Sequence, residues 1–332
     1  MFSDVIKTAM EREVIGQPRA IRSVVRGVTR VASGLTPREH SLCAYLFIGP
    51  TGTGKTHVAR TVARILHGDE RRLVVADCSP VAHADPWTAF AGQLMPLFGA
   101  SGQPWQPTEA PPLSVVLIEY LERAPREIYN MLSSALETGQ ILLPQGRRGS
   151  LRNCLIFLTS ALCAREILDE APRIGFSGAG EEEGEEGEKL FALCMEQADK
   201  QFGSDLMGRL DGMVIFRKLA REQLEQILDR RASRLAEWLA PRGFRCEVRP
   251  AAKEFLLERG SRDLRMGARN LVRVHSEHLE FPVADLMISG RIPAGGRVVI
   301  DRVPGEPHLH FTVEQDAEAE RAPDAVREIH VA

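Results

Sequence analysis

The sequence has no Cys-x-x-Cys pair. Its six cysteines, Cys43, Cys78, Cys154, Cys163, Cys194 and Cys246, are scattered and form no ligand-like cluster with histidine. That spacing speaks against a structural zinc site and for free thiols in a reducing compartment. No apolar run approaches the ~18 residues that a membrane span needs. The opening MFSDVIKTAMEREVIG carries charges of both signs, unlike the basic start and apolar stretch of a signal peptide. Nor does one charge dominate: 42 basic residues face 45 acidic ones for a net charge of -3, so no overall field draws the chain onto nucleic acid or anionic lipid. The expectation is a cytoplasmic protein with neither a membrane nor a nucleic-acid partner. What is present is ordinary globular material. A chain of 332 residues, 44% of them hydrophobic, suffices for one large α/β domain and a smaller one.

Ser3 and Asp4 are placed to cap a first helix, and apolar residues from Pro18 to about Ser33 recur at helical spacing. A strand over Ala44–Ile48 leads into a glycine-rich loop. Further strand-like runs lie at Leu73–Ala76, Ser114–Ile118, Cys154–Thr159 and Met213–Phe216, separated by helical or loop sequence. This alternation predicts a parallel five-stranded sheet between helices. Between Pro80 and Pro112, recurring prolines and glycines predict a long, partly irregular insertion. Residues 177–190, glycine- and glutamate-rich with little to bury, are expected to be a disordered loop. Beyond Phe216 the pattern becomes helical, with Leu224, Ile227, Leu228, Leu235, Trp238 and Leu239 as an apolar stripe. Strand-like runs Arg297–Arg302 and His308–Val313 flank a turn at Pro304-Gly305-Glu306. The predicted division is a large α/β domain over 1–218, a small mainly helical domain with a β hairpin over 219–313, and an acidic, disordered tail over 314–332.

The most specific motif is Gly49-Pro50-Thr51-Gly52-Thr53-Gly54-Lys55-Thr56. Its glycines let backbone N–H groups turn inward around phosphate oxygens, Lys55 reaches the β and γ phosphates, and the Thr56 hydroxyl ligates Mg²⁺. A strand before and a helix after, His57–Leu66, meet the structural context that the motif requires. ATP with Mg²⁺ is therefore the expected cofactor. Such a site also needs an acid on a neighbouring strand to hold Mg²⁺, directly or through water, and a group that prepares the attacking water. The strand Ser114–Ile118 runs into Glu119-Tyr120-Leu121-Glu122.

With these residues in view, the segment from Ser114 to Asn153 resembles the second ATPase module of the ClpA/ClpB class of AAA+ chaperones, and the likeness covers about residues 10–313. Val14-Ile15-Gly16-Gln17 with Ala20 resembles the entry motif beside adenine, which implies Ile15 and Gly16 as base contacts. Gly208-Arg209-Leu210-Asp211 resembles the motif whose arginine reaches a neighbouring subunit's ATP, and Gly267-Ala268-Arg269-Asn270-Leu271 the one whose arginine contacts nucleotide from the small domain. The resemblance implies catalytic roles for Glu119, Arg209 and Arg269, and a Mg²⁺ site at Thr56 and Glu119.

Two positions depart from the family. Tyr120 stands where the family has its catalytic glutamate, and a tyrosine of ordinary pKa, about 10, makes a poor general base at neutral pH. Ala161 stands where the family has an asparagine that orients water. Glu122 is a candidate substitute, though a helix would turn it away. The family's threading loop is not recognisable between Pro80 and Pro112: Phe98-Gly99 and Trp105 either replace it or merely pack the insertion. Gly139–Arg148 keeps the look of the second pore loop, with Arg147 and Arg148 as substrate contacts. Ile174-Gly175-Phe176 either docks a ClpP-like peptidase or anchors the acidic loop.

The resemblance implies an ATP-dependent protein-remodelling module, a homo-oligomer and by analogy a hexamer, acting on protein substrates. The alternative is a regulatory scaffold that assembles on ATP with little or no hydrolysis, which Tyr120 and Ala161 favour.

Overall fold

The computed structural model describes residues 2–33, 43–79, 85–98, 113–169, 185–262, 266–293, 295–303, 305–315 and 327–329. They form two units, Met1–Lys218 and Leu219–Ala332.

In the first unit the elements run α1 (Phe2–Glu13), α2 (Pro18–Ala32), β1 (Cys43–Ile48), α3 (Lys55–His67), β2 (Leu73–Asp77), α4 (Pro86–Gln93), β3 (Ser114–Glu119), α5 (Arg126–Thr138), β4 (Gln140–Leu142), β5 (Arg148–Ser150), β6 (Cys154–Ser160), α6 (Ala164–Asp169), α7 (Glu185–Phe202), α8 (Ser204–Met207) and β7 (Gly212–Ile215). Five strands form one parallel sheet in the order β2-β3-β6-β1-β7. The period of two along each strand divides its side chains between two cores. Ala44, Leu46, Ile48, Val116, Ile118, Ile156 and Leu158 face one layer, which includes Phe90, Ile128, Leu132, Cys194 and Phe202. Phe47, Val115, Leu117, Leu155 and Phe157 face the other, built from Ile6, Met10, Val24, Val28, Val58 and Val62. Near-continuous apolar strands are what burial on both faces demands. Strand β1 lies inside the sheet with β6 on one side and β7 on the other, so the order reverses beside it. Parallel sheets place ligand crevices at the carboxyl ends of strands flanking such a reversal.

Several expectations need correction. Ser3 and Asp4 lie inside the first turn of α1 rather than ahead of it. The acidic stretch 177–190 is not wholly unstructured, because α7 begins at Glu185. Glu185, Glu186 and Glu188 occupy its first turn, where carboxylates favour the positive helix end, and Leu190, Cys194, Ala198 and Phe202 recur every four residues as its buried seam. The insertion is partly irregular as expected: its described residues include α4 and a short 3₁₀ turn at Met95–Phe98.

In the second unit, α9 (Arg221–Leu239), β8 (Arg245–Val248), α10 (Pro250–Gly260), α11 (Ala268–His275) and α12 (Phe281–Ile288) precede β9 (Gly296–Asp301), β10 (His310–Gln315) and β11 (Arg327–Ile329). The expected hairpin is the β9–β10 pair within a larger sheet ordered β11-β10-β9-β8. Strand β10 runs to Gln315 and β11 pairs with it, so the tail counted as disordered contributes to this sheet. Leu224, Leu228, Phe255, Leu271, Ile300 and Phe311 share one core. Trp238 does not join it: the ring is half-exposed, with the Arg242 guanidinium 3.6 Å above its centre.

Asp211 fixes the entry of β1. Its carboxylate accepts from the Ala44 N–H at 2.7 Å and from Arg30 at 2.5 Å, while its own N–H donates to the Ala44 carbonyl. Replacing Asp211 with alanine leaves a strand N–H and an arginine without that acceptor, a loss of about 1–3 kcal/mol. Thermal unfolding should show a lower midpoint for Asp211→Ala, with Asp211→Asn falling less because its amide oxygen still accepts.

Candidate nucleotide site

The glycine-rich loop leaves β1 between the ends of its two neighbours. The Gly49 N–H donates to the Ser160 carbonyl of β6 at 3.2 Å, and the Phe216 N–H donates to the Ile48 carbonyl at 2.7 Å. Gly49 has a φ of 149°, and a Cβ there would stand 2.3 Å from the Phe216 carbonyl oxygen, so the chain turns here only without a side chain. Gly52 and Gly54 also have positive φ. Gly54 caps α3 with no side-chain hydrogen bond, and the positive end of that helix opens toward the loop.

Within the loop Thr53 is buried and donates to the Pro50 carbonyl at 2.8 Å. The Lys55 ammonium folds back onto the carbonyls of Gly49 and Pro50 at 2.5 and 2.7 Å. The Thr56 hydroxyl donates to Glu119 Oε1 at 2.5 Å. A threonine hydroxyl and a carboxylate meeting beside a phosphate loop are the hard oxygen ligands that Mg²⁺ takes, since it binds through a few protein oxygens and keeps its remaining waters. The residues present therefore fit a magnesium-bound phosphate. Pro50, Thr51 and Gly52 complete the loop.

Ile15 and Gly16 lie between α1 and α2; Ile15 is half-buried and Gly16 has a φ of 74°. The next residue is one that sequence reasoning left without a role. Gln17 is buried and ties three backbones together. Its amide donates to the Thr53 carbonyl at 3.1 Å and to the Arg217 carbonyl at 2.9 Å, and its oxygen accepts from the Arg217 N–H at 3.3 Å. A buried primary amide must be satisfied in this way. The signal available in the sequence was a glutamine directly before Pro18, the first residue of α2.

At the end of β3 the backbone does something unusual. Tyr120 adopts the left-handed conformation, φ 57° and ψ 46°, rare for a bulky residue. Its ring lies under the Arg123 guanidinium at 4.8 Å. Ala161 follows β6 directly, and its methyl offers no polar atom. Glu122 sits in the 3₁₀ turn Leu121–Arg123. Burial pushes the Cys78 thiol up to about 12, helped by the negative charges of Asp77 and Glu122.

Arg209, just past α8, pairs with Glu137 of α5 at 2.9 Å with both side chains near half exposure. The structure thus holds Arg209 on the surface of the first unit. Arg269 is exposed in the first turn of α11 in the second unit. Its neighbours there are structural: Asn270 donates to the Gly260 carbonyl at 2.9 Å, closing the end of α10, and Leu271 packs where a Cβ on Gly260 would lie 2.5 Å away.

Of the insertion's aromatics, Trp87 donates its indole N–H to the Leu142 carbonyl at 2.9 Å, and Phe98 covers Gly149, whose Cβ would lie 2.4 Å from the ring. Both pack against the β4–β5 hairpin, where Ile141 pairs with Gly149, and Arg148 points out from it, exposed. Packing is thus the observed role of Phe98. Trp105 and Ile174-Gly175-Phe176 lie outside the described residues.

A parallel sheet reversing beside its first strand, a glycine loop strapped to that strand's end and a hydroxyl–carboxylate pair at the loop's exit define a P-loop nucleotide-binding protein with a separate small C-terminal unit. Residues 40–213 match the family model of the AAA domain (Cdc48 subfamily), and residues 219–300 that of the C-terminal, D2-small domain of ClpB protein. The chain belongs to the AAA family and is a ClpA/ClpB-like AAA+ module. Among similar curated proteins are the ATP-dependent Clp protease ATP-binding subunit ClpC of Staphylococcus saprophyticus, 29% identical over 94% of this chain and 38% of that protein, and its counterpart in Staphylococcus epidermidis, 28% identical over 89% and 36%. This chain thus spans well under half the length of those relatives. The fold is similar to that of the Saccharomyces cerevisiae Hsp104–ADP complex, with a TM-score of 0.73, 24% identity and coverage of 92% of this chain and 52% of that one. A closed-state reconstruction of Hsp104 with ATPγS and FITC-casein gives a TM-score of 0.72. Among the described residues no helix is long and apolar enough to cross a membrane.

Gln17→Ala removes the strut between loop, α2 and the segment after β7. The expected loss is on the order of 2 kcal/mol, read as a lower unfolding midpoint together with faster amide exchange at Thr53 and Arg217. Unchanged exchange at both would mean that Gln17 does not hold the loop.

Proposed function

We propose that this chain binds ATP with Mg²⁺ at the end of β1 and works as a homo-oligomeric, by analogy hexameric, cytoplasmic module that remodels protein substrates. The observation carrying the reading is the Thr56–Glu119 contact beside the Gly49–Lys55 loop. In the proposed complex, backbone N–H groups of Gly52 to Lys55 and the end of α3 hold the phosphates, and Lys55 leaves its loop carbonyls to pair with the β and γ oxygens. Thr56 and Glu119 hold Mg²⁺, Glu119 in part through water. Bound Mg²⁺ neutralises charge on the β and γ phosphates. Ile15 and Gly16 lie beside the base. Arg209, exchanging Glu137 for a phosphate, reads the nucleotide of a neighbouring subunit, and Arg269 contacts nucleotide from the small unit. A guanidinium delivered in trans makes assembly and turnover interdependent.

Hydrolysis by this arrangement is expected to be slow. Tyr120 offers a phenol where a carboxylate would polarise water, and Ala161 offers no hydrogen bond to orient it. Loss of such a base costs roughly 10²- to 10⁴-fold in rate, while phosphate binding draws on other atoms. These two residues favour a second reading, a scaffold whose assembly follows ATP binding rather than hydrolysis. Arg147 and Arg148 on the β4–β5 hairpin are the proposed contacts to a polypeptide substrate.

Turnover and assembly measured together separate the readings. Lys55→Ala should abolish both, and Tyr120→Glu should raise turnover by at least about tenfold, within the range a general base supplies. Assembly that survives Lys55→Ala would contradict nucleotide control of the oligomer, and a Tyr120→Glu variant no faster than wild type would contradict the account of slow hydrolysis.

A further inference from the structure

Away from the nucleotide loop, the turn between β9 and β10 gathers three ligating side chains from a five-residue stretch, Glu306-Pro307-His308-Leu309-His310. The Glu306 carboxylate meets both imidazoles: His308 Nε2 lies 3.1 Å from Glu306 Oε2, and His310 Nε2 is in direct contact with the same oxygen. One ligand atom from each of the three lies within 4.8 Å of the other two, and the two rings are 5.3 Å apart between centroids at 35°. The local chain explains the convergence. Gly305 has a φ of 89° and turns the chain back, Leu309 between the histidines is buried in the small-unit core, and His310 is held as the first residue of β10 opposite Asp301. The histidines therefore flank an anchored residue, and each is at least partly accessible to solvent.

We propose that Glu306, His308 and His310 bind a divalent transition-metal ion, zinc by preference. Zinc takes imidazole nitrogens at about 2.0–2.1 Å and carboxylate oxygens at about 2.0–2.2 Å in tetrahedral sites, which puts neighbouring ligand atoms about 3.3 Å apart. The 3.1 Å between His308 and Glu306 already has that spacing, and the remaining adjustments are side-chain rotations. Two imidazoles and one carboxylate favour zinc over magnesium, which prefers an all-oxygen octahedron. Three protein ligands leave the fourth position to water. Glu306 also lines a cleft of about 250 Å³, together with Glu258 and the arginines Arg259, Arg262 and Arg302. Arg259 donates to the Pro307 carbonyl at 2.7 Å and Arg302 to Glu258 at 3.2 Å, so these two guanidiniums have partners of their own. The net positive charge of the three arginines opposes a cation and lowers the expected affinity. The ion would join the turn to the start of β10 and stiffen the β9–β10 pair.

The test is calorimetric titration of the full chain, nucleotide-free, with zinc chloride in a non-chelating buffer, repeated on the His308→Ala, His310→Ala double variant and on Glu306→Gln. All three proteins keep the six cysteines, so thiol binding is common to them. The expected result is one ion per chain for wild type and a loss of at least about a hundredfold in affinity for the double variant, more than removal of an outer-shell partner costs. Glu306→Gln, which preserves side-chain size, should weaken binding as well, so the outcome does not hang on whether the double variant folds. Cobalt substitution supplies a second readout: visible d–d bands without a thiolate charge-transfer band place the ion on nitrogen and oxygen. No zinc uptake by the wild type, equal uptake by Glu306→Gln, or a strong thiolate band would overturn the proposal.

Discussion

The site depends on how the end of β1 is clamped. Its carboxyl terminus lies between Ser160 of β6 and Phe216 after β7, and Gly49 crosses that gap so tightly that a single added carbon would collide with the Phe216 carbonyl. Everything downstream inherits its place from this crossing: the turn of the loop, the start of α3 and the approach of Thr56 to Glu119. The clamp is reinforced twice from a distance. Gln17 ties the loop to Arg217, and Asp211 ties the beginning of β1 to α2 through Arg30. The Gln17 amide and the Ala44 N–H are buried groups that would be costly to leave unpaired, so rigidity of the strand and readiness of the loop have one origin.

Much of this was legible from the residues. The five strands of the main sheet announce themselves as short apolar runs rich in Val, Ile, Leu and Phe, because a strand buried on both faces has few positions for polar groups. The loop was legible because its chemistry restricts residue type: glycine where φ is positive, lysine and a hydroxyl at fixed offsets. Less visible were features set by partners distant in sequence. Gln17 acquires its role from Thr53 and Arg217, 36 and 200 residues away, and its place before Pro18 does not reveal those partners. The start of α7 was hidden by a glutamate-rich composition that reads as solvated linker, although the same glutamates suit the first turn of a helix whose buried seam begins only at Leu190. Trp238 misled in the opposite direction: at helical spacing it looks like core, yet Arg242 covers its face and leaves half of it in solvent. The meeting of Glu306 with His308 and His310 is set by the turn at Gly305 and the anchoring of Leu309 in the core, neither of which a local Glu-x-His-x-His run reveals.

Binding and chemistry are separable in this fold. In the proposed complex, phosphate recognition rests on backbone groups, a helix end and one ammonium, all contributed by the stretch between β1 and α3. On the proposed reading, preparing a water for attack would rest instead on side chains at the ends of β3 and β6, and there the chain carries Tyr120 in a left-handed conformation and Ala161. The proposed trans contact, Arg209, is built on yet another element and stands ready on the surface with Glu137 as its present partner. A protein arranged in this way can keep nucleotide-dependent association while its turnover falls, which links the two functional readings through a single pair of positions.

The most direct measurement is equilibrium binding of magnesium-ATP to the full chain, wild type against Lys55→Ala, with folding of both checked by circular dichroism. Saturable binding by the wild type that weakens sharply in the variant and in the absence of magnesium is the predicted result. A folded wild type with no measurable affinity for the nucleotide would contradict the account.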